Sequence, residues 1–329
     1  MKPYIWMLIG AVAFASMSIL AHALSDGISW VLVALARSSC ALLFTLIVAR
    51  VQRTQLVFLR PPTLWMRSIC GSISLLCSFY AFKHLPASDV IAITNTFPIW
   101  VAILSWPLLG ERPTREVWFA VLCSVTGSIL INQPHLGAAA SVEPAFAGEA
   151  VLNAPAVVAT SAAAPFAALP WLSERLLGGI LAAISSVFSA VVVIGLNLLH
   201  KTPSQAIVVH FSLVATVFCL AAAPFEPAFA ASVAALKLPL IGLLAALGLC
   251  ATIGQIFLTK AFAAGPASKV AVVALSQVVF CYLFELGFLG RRFQWLSLWG
   301  MILIIGPTAL MIWRKKSRAA ATIPAEGLE

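Results

Sequence analysis

Ten stretches of this chain are apolar for about 20 residues each, the length a helix needs to cross the hydrocarbon core of a bilayer. They run over 4–23, 28–48, 64–84, 87–109, 114–132, 177–199, 204–223, 239–262, 267–289 and 294–313. The gaps carry the punctuation: Asp26-Gly27, Arg60-Pro61-Pro62, Pro86, Gly110-Glu111-Arg112-Pro113, Lys201-Thr202-Pro203 and Gly265-Pro266. Inside lipid every backbone polar group must be satisfied by the segment itself, so runs of this kind are helices. Of the 329 residues, 62% are hydrophobic and 9% charged. A soluble domain has about 25% charged residues and keeps a polar exterior. The composition therefore excludes a soluble enzyme, a disordered chain and a nucleic-acid-binding module.

The net charge of +9 sits in short gaps between apolar runs and suits a membrane surface. With the N-terminus in the cytoplasm and ten spans, 14 of the 20 Lys and Arg fall inside, among them Arg67 and the Arg314–Arg318 cluster. An eleventh span over 154–172 would expel that cluster, so ten is the expected number. Residues 1–23 are read as a retained first helix rather than a cleaved leader, since the apolar part is long for one. The Ala/Pro-rich segment 133–176 is then an extracytoplasmic connector, and 314–329 a cytoplasmic tail. The seven cysteines all lie in apolar runs with no C-x-x-C pair, and they read as packing residues. No cofactor or metal is expected.

The chain repeats itself. Residues 81–88, Ala-Phe-Lys-His-Leu-Pro-Ala-Ser, match 261–268, Ala-Phe-Ala-Ala-Gly-Pro-Ala-Ser, at a shift of 180. The register holds without a gap from Cys70/Cys250 to Arg112/Arg292, with 11 identities in 43 positions. Each half then has five spans. An odd number per half inverts the second copy, so 4–132 and 177–313 form two inverted five-helix repeats. That architecture surrounds a midplane site in many secondary transporters.

Polar residues inside lipid are expensive and need a reason. Arg37 in span two and Glu285 in span nine are candidates for ion coupling or for a structural charge pair. Asn95, Gln255 and Gln277 can each donate and accept hydrogen bonds, which suits a neutral polar or zwitterionic solute. Tyr80, Trp100 and Ser276 complete the candidate substrate-binding set. Interhelical bonding is the competing explanation for every member. Pro98 in mid-span permits a helix bend. No H-E-x-x-H, G-x-S-x-G or phosphate loop occurs, so neither enzymatic chemistry nor direct use of ATP is expected.

The segment Tyr80-Ala81-Phe82-Lys83-His84-Leu85, then Asp89, Pro98, Gly110-Glu111-Arg112, Trp118 and Gly127, resembles the EamA module of the drug/metabolite transporter superfamily. Arg37 falls where that module often has an arginine. The likeness covers 4–132 well and 178–313 more faintly. Arg291 and Val278 depart from the module's pattern, standing where the second copy would repeat Glu111 and Pro98. The resemblance implies an all-α membrane protein of ten helices in two inverted halves. It implies a central cavity lined by spans one, three, four, six, eight and nine. It also implies export or uptake of a small metabolite by exchange or with a cation. The expectation is a carrier of a small polar organic metabolite in the lipid bilayer of a bacterial inner membrane, with both termini cytoplasmic. A non-transporting sensor or scaffold and a lipid flippase are the alternatives, and a protein partner is left open.

Overall fold

The computed structural model describes residues 2–24, 28–59, 61–85, 87–132, 174–288 and 294–321. Among the described residues the regular structure is helical. Eight helical stretches in it are long and apolar enough to cross a membrane, and a shorter apolar stretch covers Trp295–Leu310. In chain order the helices are α1 (Lys2–Leu24), α2 (Trp30–Val51), α3 (Pro62–His84), α4 (Ala87–Thr94), α5 (Phe97–Leu109), α6 (Arg115–Asn132), α7 (Glu174–Leu198) and α8 (Ser204–Ala222). They continue as α9 (Ala228–Ala234), α10 (Leu238–Ala264), α11 (Ala267–Ala274), α12 (Ser276–Phe288) and α13 (Trp295–Ala321).

Three features differ from the sequence expectation. The runs 87–109 and 267–289, expected as continuous helices, are each split in two. The cause is local. Thr96 Oγ1 donates to the carbonyl of Ile93 at 2.7 Å, and Ser276 Oγ donates to the carbonyl of Val273 at 2.7 Å. Hydroxyls that bond a carbonyl three residues back compete with the helical ladder. The two bonds are 180 residues apart at both ends. Pro98, expected to permit a bend, follows the first of these breaks by two residues. It occupies the first turn of α5, where its missing N–H costs nothing. The outer segment after α8 contains the short helix α9, which the sequence did not announce. Helix α13 runs to Ala321, into the segment expected to be tail. The connector expected at 133–176 lies outside the described residues up to 173, as do Arg291 and Arg292.

The most extensive packing pairs are α1 with α10, α3 with α7, α6 with α13 and α2 with α8. Next come α10 with α2, α1 with α12, α3 with α8 and α5 with α7. Exchanging α1, α2, α3, α4–α5 and α6 for α7, α8, α10, α11–α12 and α13 maps this set of pairs onto itself. Small residues permit the closest approaches. A Cβ on Gly127 would stand 2.5 Å from the backbone oxygen of Gly300, and one on Gly300 would stand 2.6 Å from that of Gly127.

The two ends of the bundle are packed differently. At the end holding Tyr4, one apolar core joins Tyr4 and Met7 of α1, Leu64 of α3, Leu196 of α7, Ile207 of α8, Phe262 of α10 and residues of α11. At the end holding Leu24 the apolar residues form separate clusters. Leu24, Val33, Leu244 and Leu247 join α1, α2 and α10. Ala81, Val90 and Ala182 join α3, α4 and α7. Helices α7 and α10 also meet, whereas α1 and α3, their counterparts under the exchange, make no comparable interface.

Candidate functional site

The interior polar residues fall into three groups. The first is a hydroxyl ladder between α3 and α7. Ser74 Oγ lies 2.9 Å from Ser185 Oγ and 2.9 Å from Ser189 Oγ, and Ser78 Oγ lies 2.6 Å from Ser185 Oγ. Thr96 Oγ1 reaches Ser186 Oγ at 3.2 Å. These hydroxyls satisfy one another, so this group works as interhelical bonding.

The second group is aromatic and lies at the Leu24 end. Tyr80 of α3 packs edge-to-face on Trp30 of α2, with centroids 6.1 Å apart, and stands 4.5 Å from the ring of His84. Trp30 Nε1 donates to Glu226 Oε2 at 2.9 Å, and the backbone N–H of Ser29 donates to Ser232 Oγ at 2.8 Å. The segment carrying α9 is thereby held to the start of α2.

The third group is cationic. Arg37 lines a small cavity with Ser38 and Ala41 of α2, Leu75 of α3, Phe211 and Ser212 of α8, and Ala251 and Gln255 of α10. Arg67 was expected among the cytoplasmic loop charges. Instead it lies on α3 with 0% exposure, among the largest fully buried side chains of the protein. Its guanidinium carbon stands 4.1 Å from the centroid of Phe211. None of its three side-chain nitrogens has a hydrogen-bond partner among the described residues. Helix α3 starts only five residues earlier, at Pro62, yet snorkelling to the surface is blocked by the core that closes this end. An arginine in a membrane helix costs about 2.5–3.5 kcal/mol on insertion scales. A desolvated cation–π contact returns about 2 kcal/mol. The site therefore holds a cation that the protein itself does not fully compensate.

The sequence-predicted residues do not form one cluster. Gln255 is buried and faces the cavity of Arg37. Asn95 lies in the break between α4 and α5, where its Nδ2 donates to Ser128 Oγ on α6 at 3.0 Å. Ser276 and the half-buried Gln277 open α12. Trp100 is 38% exposed on α5 and Pro98 is buried beneath it. Glu285 is half-buried on α12. Helix α12 packs on α1 and α13, whereas Arg37 belongs to α2 beside α8 and α10. Arg67, Phe211 and Ser212 escaped the sequence reading. The available signal was Arg67 inside an apolar run; Phe211 carries no signal of its own. Among the described residues no group of three or more His, Cys, Asp and Glu could hold a metal.

These features, a helical membrane bundle with broken helices and a buried polar interior, can now be compared with known proteins. The model of the EamA-like transporter family matches residues 1–133 and again 176–313. The chain belongs to the EamA-like transporter family. It is therefore a multi-pass membrane protein of a transporter family. The pseudopaline exporter CntI of Pseudomonas aeruginosa is 31% identical over 219 residues, which cover 67% of this chain and 63% of the exporter. Solute carrier family 35 member G1 of Homo sapiens is 24% identical over 268 residues, covering 77% of this chain and 63% of the carrier. The chain thus spans less than two thirds of the length of these relatives. A protein of known crystal structure shares the fold over 95% of this chain and 97% of its own, with a TM-score of 0.72 at 15% identity.

Proposed function

We propose that this EamA-family protein is a secondary transporter of a small polar organic metabolite, moving it by alternating access and driven by a cation gradient or by exchange. The carrier is built of two inverted five-helix repeats, 4–132 and 177–313, joined by the connector 133–176, and each repeat changes its own internal packing during the cycle. The observation that carries this reading is the difference between the two ends. A single core ties the halves together at the Tyr4 end, and separate clusters hold them at the Leu24 end. In an inverted repeat the two ends exchange roles when the halves exchange conformations. The α7–α10 interface, which α1 and α3 lack, is then the closed gate of one state. The packing pairs that map onto themselves under exchange of the halves support the repeat. So do the helix breaks, 180 residues apart.

Lys2, Arg50, Arg53, Arg112, Arg115 and Lys201 belong to the Tyr4 end, which makes that end cytoplasmic under the positive-inside rule. The state described is closed to the cytoplasm. A bacterial inner membrane and outward movement of the solute follow the exporter relative. The test is counterflow in proteoliposomes. Preloaded solute, found by thermal-shift screening of metabolites, accelerates entry of the same labelled solute. A cross-link between Leu196→Cys and Phe262→Cys stops it, and reduction restores it. Counterflow that survives the cross-link refutes alternating access through this gate.

A further inference from the structure

We infer that Arg67 and Arg37, with the hydroxyl of Ser212, bind the carboxylate of a small organic anion, and that this anion is the solute the carrier moves. The second clause rests on the carrier reading above; the first does not.

The argument begins with charge. Helices α2, α3, α7, α8 and α10 surround the two arginines. Their sequences contain no Asp or Glu except Glu174, the first residue of α7. Buried charges are retained when they are paired, coordinated or used. Among the described residues neither arginine has such a partner, which points to a partner from outside the chain.

Geometry supports the same conclusion. Phe211 stacks under the guanidinium of Arg67 and also lines the cavity of Arg37, so one ring joins the two cations. Among the described residues Ser212 Oγ is buried without a hydrogen-bond partner, as are all three nitrogens of Arg67. Ser212 adjoins Arg37 in the cavity lining. Unsatisfied donors of this kind mark a site built for an acceptor.

The acceptor's class follows from the donors. A guanidinium fork matches a planar two-oxygen group with two parallel bonds. The remaining walls, Ala41, Leu75 and Ala251, are apolar and suit a carbon skeleton. An inorganic anion would leave them without a role.

The test uses the full chain in phosphatidylcholine nanodiscs. Acetate, succinate and citrate are titrated by calorimetry, beside succinamide as the neutral isostere and inorganic phosphate. A carboxylate is expected to bind at least about tenfold more tightly than succinamide, as loss of a charge-assisted bidentate pair implies. Arg67→Gln is expected to remove that advantage, and Arg67→Lys to restore part of it. Ser212→Ala keeps both charges and guards against misfolding of the arginine variants; it weakens the carboxylate about threefold to tenfold. Absence of carboxylate binding overturns the site, as does phosphate binding that equals or exceeds it. Arg67→Gln binding carboxylate as the parent does overturns it equally. Binding without counterflow of the bound carboxylate overturns the carrier clause and leaves the site. Counterflow of a neutral solute unaffected by Arg67→Gln keeps the carrier reading and overturns the clause that the bound anion is its solute.

Discussion

The side-chain amide of Asn197 donates to the backbone carbonyl of Phe262 at 3.0 Å, joining the last turn of α7 to the last turn of α10. The same nitrogen reaches the carbonyl of Gly265 at 2.9 Å. Both acceptors sit where a helix runs out of its own donors. One side chain thus satisfies two stranded carbonyls and fastens the Tyr4 end. The asymmetry between the ends of the bundle has this contact at its centre.

Replacing Asn197 by Ala removes both bonds. At about 0.5–1.5 kcal/mol net for each, the closed end loses roughly 1–3 kcal/mol. Hydrogen exchange followed by mass spectrometry is expected to speed up in peptides covering 190–199 and 256–265. Peptides of the Leu24 end, such as 18–24, keep the parent rate. Unchanged exchange at 256–265 would show that the apolar core alone closes this end.

Asn95 is placed by the structure as a tether from the α4–α5 break to Ser128 on α6. Asn95→Ala and Ser128→Ala are each expected to lower stability by about 1 kcal/mol, and the double variant by little more than either single one. Melting curves of the four proteins in one detergent measure the coupling. A fully additive double variant would mean that the two side chains act separately.

The contact of α6 with α13 depends on absent side chains. Gly127→Ala drives a methyl to 2.5 Å from the oxygen of Gly300, where backbone rather than a flexible side chain must move. The expected loss is about 1–3 kcal/mol, seen as a lower melting temperature and a smaller monodisperse fraction in size-exclusion chromatography. Gly242→Ala is the control. Nothing lies within 4 Å of its added methyl, and alanine is the better helix former by about 1 kcal/mol.

How much of this was legible beforehand can be argued residue by residue. Apolar runs bounded by Pro and Gly announce helices, because a membrane offers the backbone no other partner. The first run, expected over 4–23, is α1, Lys2–Leu24. The break at Asn95-Thr96 has a visible warning in the polar pair ahead of Pro98. The break at Leu275-Ser276 has almost none, since serine inside a helix is common and its bond to Val273 is settled by geometry. Arg67 was misplaced for a related reason. A cation five residues from a helix start reads as one that reaches water, and only the surrounding helices of the Tyr4 end show that it cannot. Gln255 and Arg37 were both singled out in the sequence, but their common cavity depends on the packing of α2 against α10.

The loop after α5 yields a prediction in pH. Gly110 takes the left-handed conformation with φ of 69°, which ends α5 and turns the chain into Glu111. Burial pushes the Glu111 carboxyl above its ordinary value, and Lys269 opposes this in part. A raised carboxyl means that the folded protein binds this proton more tightly than the unfolded chain does. The group therefore costs stability at neutral pH. The cost fades as pH falls through the raised value and vanishes below the unfolded value of about 4.3. Glu111→Gln is expected to melt higher than the parent at pH 7 and to lose that lead by about pH 4. Thermal denaturation of both proteins at several pH values measures the difference. A lead that persists unchanged at pH 4 would place its origin outside the titration of Glu111.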